Sequence, residues 1–338
     1  MKRHLIYMMA LCLLAVLATA CEHKDLCYIH PHTANVRIDV DWSRFDKEVP
    51  TGMTLVLFPE GGGAPMVHLT NTITHASLKL AAGTYRVFVV NQSPSEFASF
   101  ALQRFDNWAD AEALGNECTS SWYAKGDDER LSLQPEWLAV DYLGGVEVTE
   151  QQVILCREAW LKDPLNVPEY LIATLYPRNV IYTVKVKLHV HGAYNLRSAR
   201  ATLSRMAEGH CLTAGRQHST LATHLLENWQ LQSDSDDPTK GLLTTTLTSF
   251  GLPYGHAGRA EENTLQLSAL LVDNATVMNF PIQVGHRFTI SEEAPMTLLV
   301  EIDTPITLPD VEPEGGSSGG FDAVVEDWGD EIDYIVPM

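Results

Sequence analysis

Potential metal ligands are concentrated near the start of the chain, in the stretch CEHKDLCYIHPH at positions 21–32. Cysteine sulfur and histidine nitrogen at such short spacing are the ligands that zinc usually takes in proteins. Pro31 favours an extended backbone at the residue before it, so His30 and His32 would lie along a tether rather than converge on one ion. The position of Cys21 also indicates a different chemistry, and we therefore predict no metal site here.

Cys21 directly follows a segment with the features of an export signal. Lys2 and Arg3 give a basic start, residues 5–17 are almost wholly apolar, and the small residues Ala-Thr-Ala precede the cysteine. This order of regions is that of a secretory signal peptide, and the apolar run is too short to cross a membrane comfortably. The run LATAC resembles a bacterial lipobox, which implies cleavage before Cys21 and lipidation of that residue. Plain secretory cleavage and an uncleaved anchor are the alternatives.

The composition favours an exported globular protein. The chain has 338 residues, 45% of them hydrophobic, and a formal net charge of −20. Removal of residues 1–20 leaves enough chain for two domains of average size. Because strong acidity repels phosphate backbones, we predict no binding to nucleic acid.

The cysteine count leaves the redox state open. Cys12 departs with the signal and Cys21 is lipidated, so four cysteines remain for the folded part. Their wide spacing is unlike a small disulfide scaffold, and both bridges and free thiols are compatible with it. The four are Cys27, Cys118, Cys156 and Cys211.

Alternation of apolar and polar residues predicts β-strands in the first half. NVRIDVDW, from Asn35 to Trp42, alternates four times and indicates a half-buried strand. GMTLVLFPEGGG predicts a strand stopped by Pro59 and three glycines, and LAAGTYRVFVVN predicts a hairpin that turns at Ala82 and Gly83. One helical turn is predicted around DNWADAEAL.

The second half begins after a predicted hinge at Pro164 and Pro168. NVIYTVKVKLHVHG alternates over a long span, with lysines and histidines on the outward face. Several further short strands separated by turn residues predict a β-sandwich. Each half opens with a long alternating strand and continues through a polar loop into a strand that ends at glycine. A repeated module and a chance similarity are both compatible with this pattern.

Other sets of ligand-type residues lack the pattern that their chemistry needs. His189 and His191 share a strand face, but no third ligand is evident, and Lys185 and Lys187 on that face would repel a cation. The segment SDSDDPTKG, residues 233–241, lacks the glycine and glutamate of an EF-hand loop. The sequence has neither a G-x-S-x-G elbow nor an H-E-x-x-H motif. We therefore predict no enzyme activity, no cofactor and no bound metal.

The end of the chain combines a linker with a structured segment. EPEGGSSGG is typical of a flexible linker by composition. FDAVVEDWGDEIDYIVPM follows it and has enough apolar and β-branched residues for a strand or hairpin. Such a segment can pair with an edge of its own sheet or with that of another subunit.

Three segments together carry a resemblance to a known family: the leader CEHKDLCYIHPH after the lipobox, LAAGTYRVFVVN, and GLLTTTLTSFGLP. They resemble the Bacteroidetes fimbrial anchor lipoproteins of the FimB/Mfa type, also called fimbrillin-A associated anchor proteins. The resemblance implies an all-β protein with two tandem transthyretin-like β-sandwich domains. It also implies an outer-membrane lipid anchor at Cys21, strand donation between subunits, and a place at the base of a fimbrium.

We combine these inferences in one domain plan and one function. The plan is a signal peptide (1–20), a lipidated leader (21–34), two β-sandwiches (35–165 and 175–310), and a linker with a terminal β segment (311–338). The predicted function is that of an outer-membrane lipoprotein that docks pilin-like fimbrial subunits by β-strand pairing. A surface-exposed and a periplasmic location both stay open. The alternative is a cell-surface lipoprotein that binds a glycan or another ligand. An unpaired apolar sheet edge would favour docking, and an exposed aromatic cluster would favour ligand binding.

Overall fold

The computed structural model describes residues 31–315, which form an all-β protein with a single α-helix among the described residues. The all-β prediction is confirmed. The elements of the first half are β1 Ala34–Val40, β2 Met53–Pro59, β3 Met66–Thr70, β4 His75–Leu80, β5 Gly83–Asn91, β6 Phe100–Gln103, β7 Glu112–Gly115, β8 Ala139–Val148, α1 Glu150–Lys162, β9 Glu169–Leu175 and β10 Arg178–Asn179. The elements of the second half are β11 Tyr182–His191, β12 Leu196–Ala207, β13 Gly209–Cys211, β14 Arg216–Gln217, β15 Leu221–Leu226, β16 Gln230–Ser233, β17 Lys240–Ser249, β18 Thr264–Leu271, β19 Val277–Gln283, β20 Phe288–Ile290 and β21 Thr297–Thr307.

The first half forms a sandwich of two sheets. One sheet has the strand order β4-β1-β9, and the other has the order β10-β8-β5-β2-β3. The alternation predicted for β1 is present: Val36, Ile38 and Val40 are buried between the sheets, whereas the residues between them are partly exposed. Because a strand buried on one face points every second side chain to the core, the sequence pattern determines which face packs inward.

The second half forms another sandwich, built around β11. Its sheets have the orders β16-β17-β11-β21-β20 and β15-β12-β18-β19. Val184, Val186 and Leu188 are fully buried in its core. The lysines and histidines of β11 lie on the outer face of the sheet and are exposed, as predicted.

The two sandwiches share one topology. In each sandwich, the first strand pairs in parallel with the last strand and antiparallel with a middle strand. In the first sandwich β1 pairs in parallel with β9 and antiparallel with β4. In the second sandwich β11 pairs in parallel with β21 and antiparallel with β17. The facing sheets also correspond, since β8-β5-β2-β3 and β19-β18-β12-β15 follow the same chain order. The similarity between the halves of the sequence therefore reflects a repeated β-sandwich module.

Local predictions had mixed outcomes at three places. LAAGTYRVFVVN is not a hairpin, because β4 and β5 belong to opposite sheets and the turn at Gly83 carries the chain across the sandwich. The helical turn predicted around DNWADAEAL is present as a 3-10 helix at Trp108–Asp110. The helix α1 was not predicted, although Thr149 and Gln152 form a capping box at its start.

A small third sheet joins the two sandwiches. β6 and β7 of the first half pair with β13 and β14 of the second half in the order β14-β13-β7-β6. An apolar core lies under this sheet and includes Phe88, Phe100 and Phe250. The rings of Phe100 and Phe250 come from different halves, and their centroids are 5.8 Å apart. We call the sheet and its core the junction.

Close backbone contact at the junction depends on Gly209. This residue faces Leu114 of β7, and a Cβ atom at its position would lie 2.2 Å from the carbonyl oxygen of Ala113. Any larger residue would push β13 away from β7. The junction therefore requires a residue without a side chain at this point.

The domain plan stays a proposal, with one change at the end of the first sandwich. β9 lies beyond residue 165 but pairs with β1, so the loop at Pro164 and Pro168 is inside the first sandwich and does not separate domains. The signal peptide, Cys21, Cys27 and the terminal β segment lie outside residues 31–315. No helix among the described residues is long and apolar enough to span a membrane.

Candidate functional site

The histidines of β11 are not brought together with other metal ligands. His189 and His191 are exposed on the outer face of the sheet, beside Lys185 and Lys187. Within residues 31–315, no cluster of three or more histidine, cysteine, aspartate or glutamate side chains is placed to hold a metal ion.

The acidic segment at residues 233–241 is a surface turn whose carboxylates already have partners. Asp234 accepts a hydrogen bond from the backbone nitrogen of Asp236, at 2.9 Å. Asp237 forms an ion pair with Lys240 at 2.9 Å. Hydrogen bonds from Lys240 and Thr239 lower the pKa of Asp237 to about 2. These contacts stabilise the turn and use the oxygens that a calcium ion would need.

The cysteines of the described part are free. Cys118, Cys156 and Cys211 form no disulfide. Cys156 is the buried residue of α1, and its sulfur accepts a hydrogen bond from the backbone nitrogen of Asn35 and donates one to the carbonyl oxygen of Pro168, each at 3.4 Å. Burial raises the pKa of Cys118 and of Cys211, which makes both thiols less reactive.

The remaining candidate is a sheet edge, because an edge strand offers unpaired backbone groups to another chain. Three edges of the two sandwiches carry a residue that disfavours strand addition. Lys79 lies in β4, Glu169 lies in β9, and Pro281 removes a backbone donor from β19.

The edge at β15 is covered by the first half of the chain. The backbone nitrogen of Ser132 donates to the carbonyl oxygen of Thr223 at 3.0 Å, and the nitrogen of Thr223 donates to the carbonyl oxygen of Arg130 at 2.8 Å. Residues 130–132 therefore occupy part of the β15 edge with which another strand would pair.

The edge strand β3 lacks such protection. It ends the sheet β10-β8-β5-β2-β3, and its sequence MVHLT contains no lysine, arginine, acidic residue or proline. Val67 is 48% exposed, Leu69 is 53% exposed, and Met66 is also exposed. An exposed apolar edge strand of this kind is a template for β-strand addition.

The position of β3 relative to the junction explains why its side chains are exposed. Val67 pairs with Val56 of β2, whose side chain belongs to the junction core. Val67 and Leu69 lie on the same face of the sheet as Val56, since alternate residues of a strand share a face. The junction core covers Val56 but leaves these two side chains accessible.

A groove runs beside β3. It has a volume of about 300 Å³ and lies between the start of β2, the end of β3 and the turn at residues 93–96; its lining includes Leu69, Thr70, Ser93 and Glu96. An added strand could therefore pair with β3 and place side chains in the groove.

Sequence reasoning did not single out β3 as a candidate, although it expected an unpaired apolar sheet edge if the protein docks other subunits. The sequence contains a pattern that could have identified this strand. MVHLT is a short apolar run separated from TLVLFPE by a glycine-rich turn. The structure confirms that turn, with Gly62 and Gly63 in backbone conformations of positive φ. Such a pair of runs predicts a hairpin, and here β2 and β3 do pair antiparallel.

The chain matches the family model described as a domain of unknown function, DUF5119, over residues 20–227. A curated relative is the "Putative fimbrium anchoring subunit Fim4B" of Bacteroides ovatus, 19% identical over 348 residues, which cover 96% of this chain and 95% of the relative. This relative confirms the predicted resemblance to fimbrial anchor proteins of the Bacteroidetes.

Solved structures also match the fold. The crystal structure of "a putative adhesin" from Bacteroides ovatus has a TM-score of 0.57 and 16% identity, and the match covers 86% of this chain and 98% of that one. The fimbrial anchor protein Mfa2 from Porphyromonas gingivalis matches with a TM-score of 0.47 and 11% identity, over 80% of this chain and 90% of that one. The first of these comparisons shows that the arrangement of strands is shared.

Proposed function

The chain belongs to the DUF5119 family, and we propose that it acts as a lipid-anchored fimbrial anchor or assembly subunit that docks a pilin-like subunit on the edge strand β3. The name of the curated relative supports the fimbrial part of this proposal. The proposed role is a non-enzymatic one in the cell envelope.

The observation that carries the proposal is the unprotected apolar edge of β3. Proteins normally protect such edges with charges, proline, bulges or a covering segment, because an open edge invites pairing with other chains. Here β4, β9, β15 and β19 have one of these protections, whereas β3 has none. The edges β16 and β20 also lack charged residues and proline, but both are shorter and each exposes one large apolar side chain, Leu231 or Ile290. The longer apolar edge of β3 is best explained by a partner that covers it.

The magnitudes indicate how such a partner would bind. Completing the burial of Met66, Val67 and Leu69 contributes about 1 kcal/mol each, since each side chain is already partly covered. A few backbone hydrogen bonds along five residues add about 1 kcal/mol each. Association itself costs at least about 4 kcal/mol, so pairing with β3 alone gives weak binding. A stable complex therefore needs further contacts, and the groove beside β3 supplies a place for them.

Lipidation of Cys21 would hold this subunit in the outer membrane. Residues 22–33 separate Cys21 from β1, and such a segment spans roughly 40 Å at most when fully extended. The junction would transmit load, because it fixes the two sandwiches to each other through a sheet and an apolar core. The sandwiches would then behave as one body between the membrane and a fimbrium.

A pulldown with matched variants tests the docking site. Val67→Lys places a charge on the β3 edge, and Val277→Lys places the same charge on the β19 edge, where Val277 is 53% exposed. Tagged wild type and both variants are recovered from detergent-solubilised outer membranes, and co-purifying proteins are identified by mass spectrometry. We expect a β-sandwich pilin-like subunit with wild type and with Val277→Lys, and its loss with Val67→Lys. Equal recovery with all three would contradict docking on β3.

A second comparison tests the membrane anchor. Cys21→Ala removes the proposed lipid site without changing residues 31–315. We expect wild type to be labelled by palmitate and retained in outer membranes, and Cys21→Ala to lose both properties. Retention of the variant in the membrane would refute lipidation at Cys21 but would leave docking on β3 to the first experiment.

A further inference from the structure

A cleft lies where the two sandwiches and the junction meet. It has a volume of about 270 Å³ and is formed by β8 and β10 of the first sandwich, the start of β11, and the turn between β13 and β14. β10 is at the opposite end of its sheet from β3, so the cleft is separate from the proposed docking edge. Its lining includes Asp141, Tyr142, Arg178, Tyr182, His210 and Gln217.

The most unusual residue of the cleft is His210. Its side chain is buried, with the residue only 3% exposed, and neither ring nitrogen has a hydrogen-bond partner within the described residues. A buried polar group without a partner costs about 1 to 3 kcal/mol, so such groups are rare in native proteins and call for an explanation. Because His210 lines the cleft, a molecule bound there is a natural source of the missing partner.

The protonation state of His210 determines what it can recognise. Burial, together with the nearby positive charge of Arg178, lowers the pKa of His210 to about 4. The imidazole is therefore neutral at physiological pH and has one donor and one acceptor nitrogen. Hydroxyl groups match this pair, since each can both accept and donate a hydrogen bond.

The rest of the lining is also suited to an uncharged, hydroxyl-rich molecule. Arg178 and Asp141 supply one positive and one negative charge, and Gln217 supplies a neutral amide. One oxygen of Asp141 accepts a hydrogen bond from the backbone nitrogen of Tyr176 at 2.7 Å. Tyr142 and Tyr182 add aromatic rings with polar ends.

We propose that this cleft binds a neutral saccharide unit, with His210 and Gln217 among the groups that hold its hydroxyls. The size of the cleft limits the ligand to one or two sugar rings. The proposal does not depend on docking at β3, because the two sites lie at opposite ends of one sheet. If the test of one proposal fails, the other proposal is unaffected.

Nuclear magnetic resonance of the imidazole nitrogens tests the proposal directly. The probes are the methyl glycosides of glucose, galactose, mannose and N-acetylglucosamine, with glucuronate as a charged counterpart. The protein is the full mature chain with labelled histidine, and the His210 signals are assigned by their loss in His210→Phe. We expect at least one neutral glycoside to shift the His210 signals in a saturable manner and to leave the signals of His224 unchanged.

Variants separate binding from folding. His210→Phe and Gln217→Ala should each weaken glycoside binding at least tenfold, as measured by calorimetry. His224→Phe is the matched control, since His224 is equally buried and lies outside the cleft lining. Gln217 is only partly buried, so its replacement tests the cleft even if His210→Phe fails to fold. Absence of glycoside binding, binding of glucuronate alone, or equal affinity in wild type and Gln217→Ala would overturn the proposal.

Discussion

We predict that the junction makes the two sandwiches one mechanical unit, and Phe250 is the residue through which this can be tested most sharply. Phe250 follows β17 in the second half, is fully buried, and contacts Phe100 of β6 in the first half. Replacement of a buried phenylalanine by alanine costs about 3 to 5 kcal/mol. In Phe250→Ala this loss falls on the contact between the halves rather than on either sandwich core.

The expected result follows from that magnitude. A loss of 3 kcal/mol corresponds to roughly a hundredfold increase in the population of molecules with an open junction, since each 1.4 kcal/mol is about tenfold. Hydrogen exchange measured by mass spectrometry should therefore become about a hundredfold faster at residues 209–211 of β13. The amides of β18, in the second sandwich, should keep their wild-type protection.

Leu267→Ala is the matched control. Leu267 is fully buried in the core of the second sandwich, so its truncation should accelerate exchange in β18 together with the rest of that sandwich. Urea unfolding should stay a single transition for Leu267→Ala and separate into two for Phe250→Ala. If Phe250→Ala unfolds in one transition with unchanged exchange at β13, the junction does not couple the halves and the reasoning is wrong.

Two further predictions concern buried residues. His210 and His224 both have a pKa lowered to about 4 by burial, so the unfolded chain binds more protons than the folded one between about pH 6.5 and pH 4. The free energy of unfolding should fall as pH drops through this window, by up to about 3 kcal/mol per histidine. In a variant with both histidines replaced by phenylalanine, the urea midpoint should therefore depend less steeply on pH. An unchanged pH slope would contradict the lowered pKa of these histidines. Gly209→Ala should destabilise the protein by about 2 kcal/mol or more, because the new Cβ atom would meet the carbonyl oxygen of Ala113. Gly144→Ala is the control, since a Cβ atom there meets open space and should shift the thermal midpoint little. Similar thermal midpoints for both variants would refute the close contact at Gly209.

The sequence predicted the elements whose pattern is local. The strands β1 and β11 alternate over their whole lengths, and period-two burial is visible without any knowledge of neighbouring strands. The two-sandwich architecture followed from many such strands and from the family resemblance. The repeated topology needed the structure, since it depends on which strands pair and not on any single strand.

Other features could not be predicted because they depend on long-range contacts or on weak local patterns. The junction brings Gly209 against Leu114, two residues from different halves of the chain. Helix α1 has exposed Leu155 and Leu161 beside buried Cys156, so its apolar residues do not mark one face. The open edge at β3 became apparent only when the pairing of the strands was known, because the sequence does not show which strand ends a sheet.

The most direct test of docking on β3 is site-specific photocrosslinking in living cells. A photoreactive amino acid is placed at position 69 on β3 or at position 277 on β19, where the native side chains are equally exposed at 53%. Docking on β3 predicts that position 69 crosslinks to a β-sandwich pilin-like subunit and that position 277 does not. A crosslink from position 277 alone, or from neither position in cells that build fimbriae, would contradict the account.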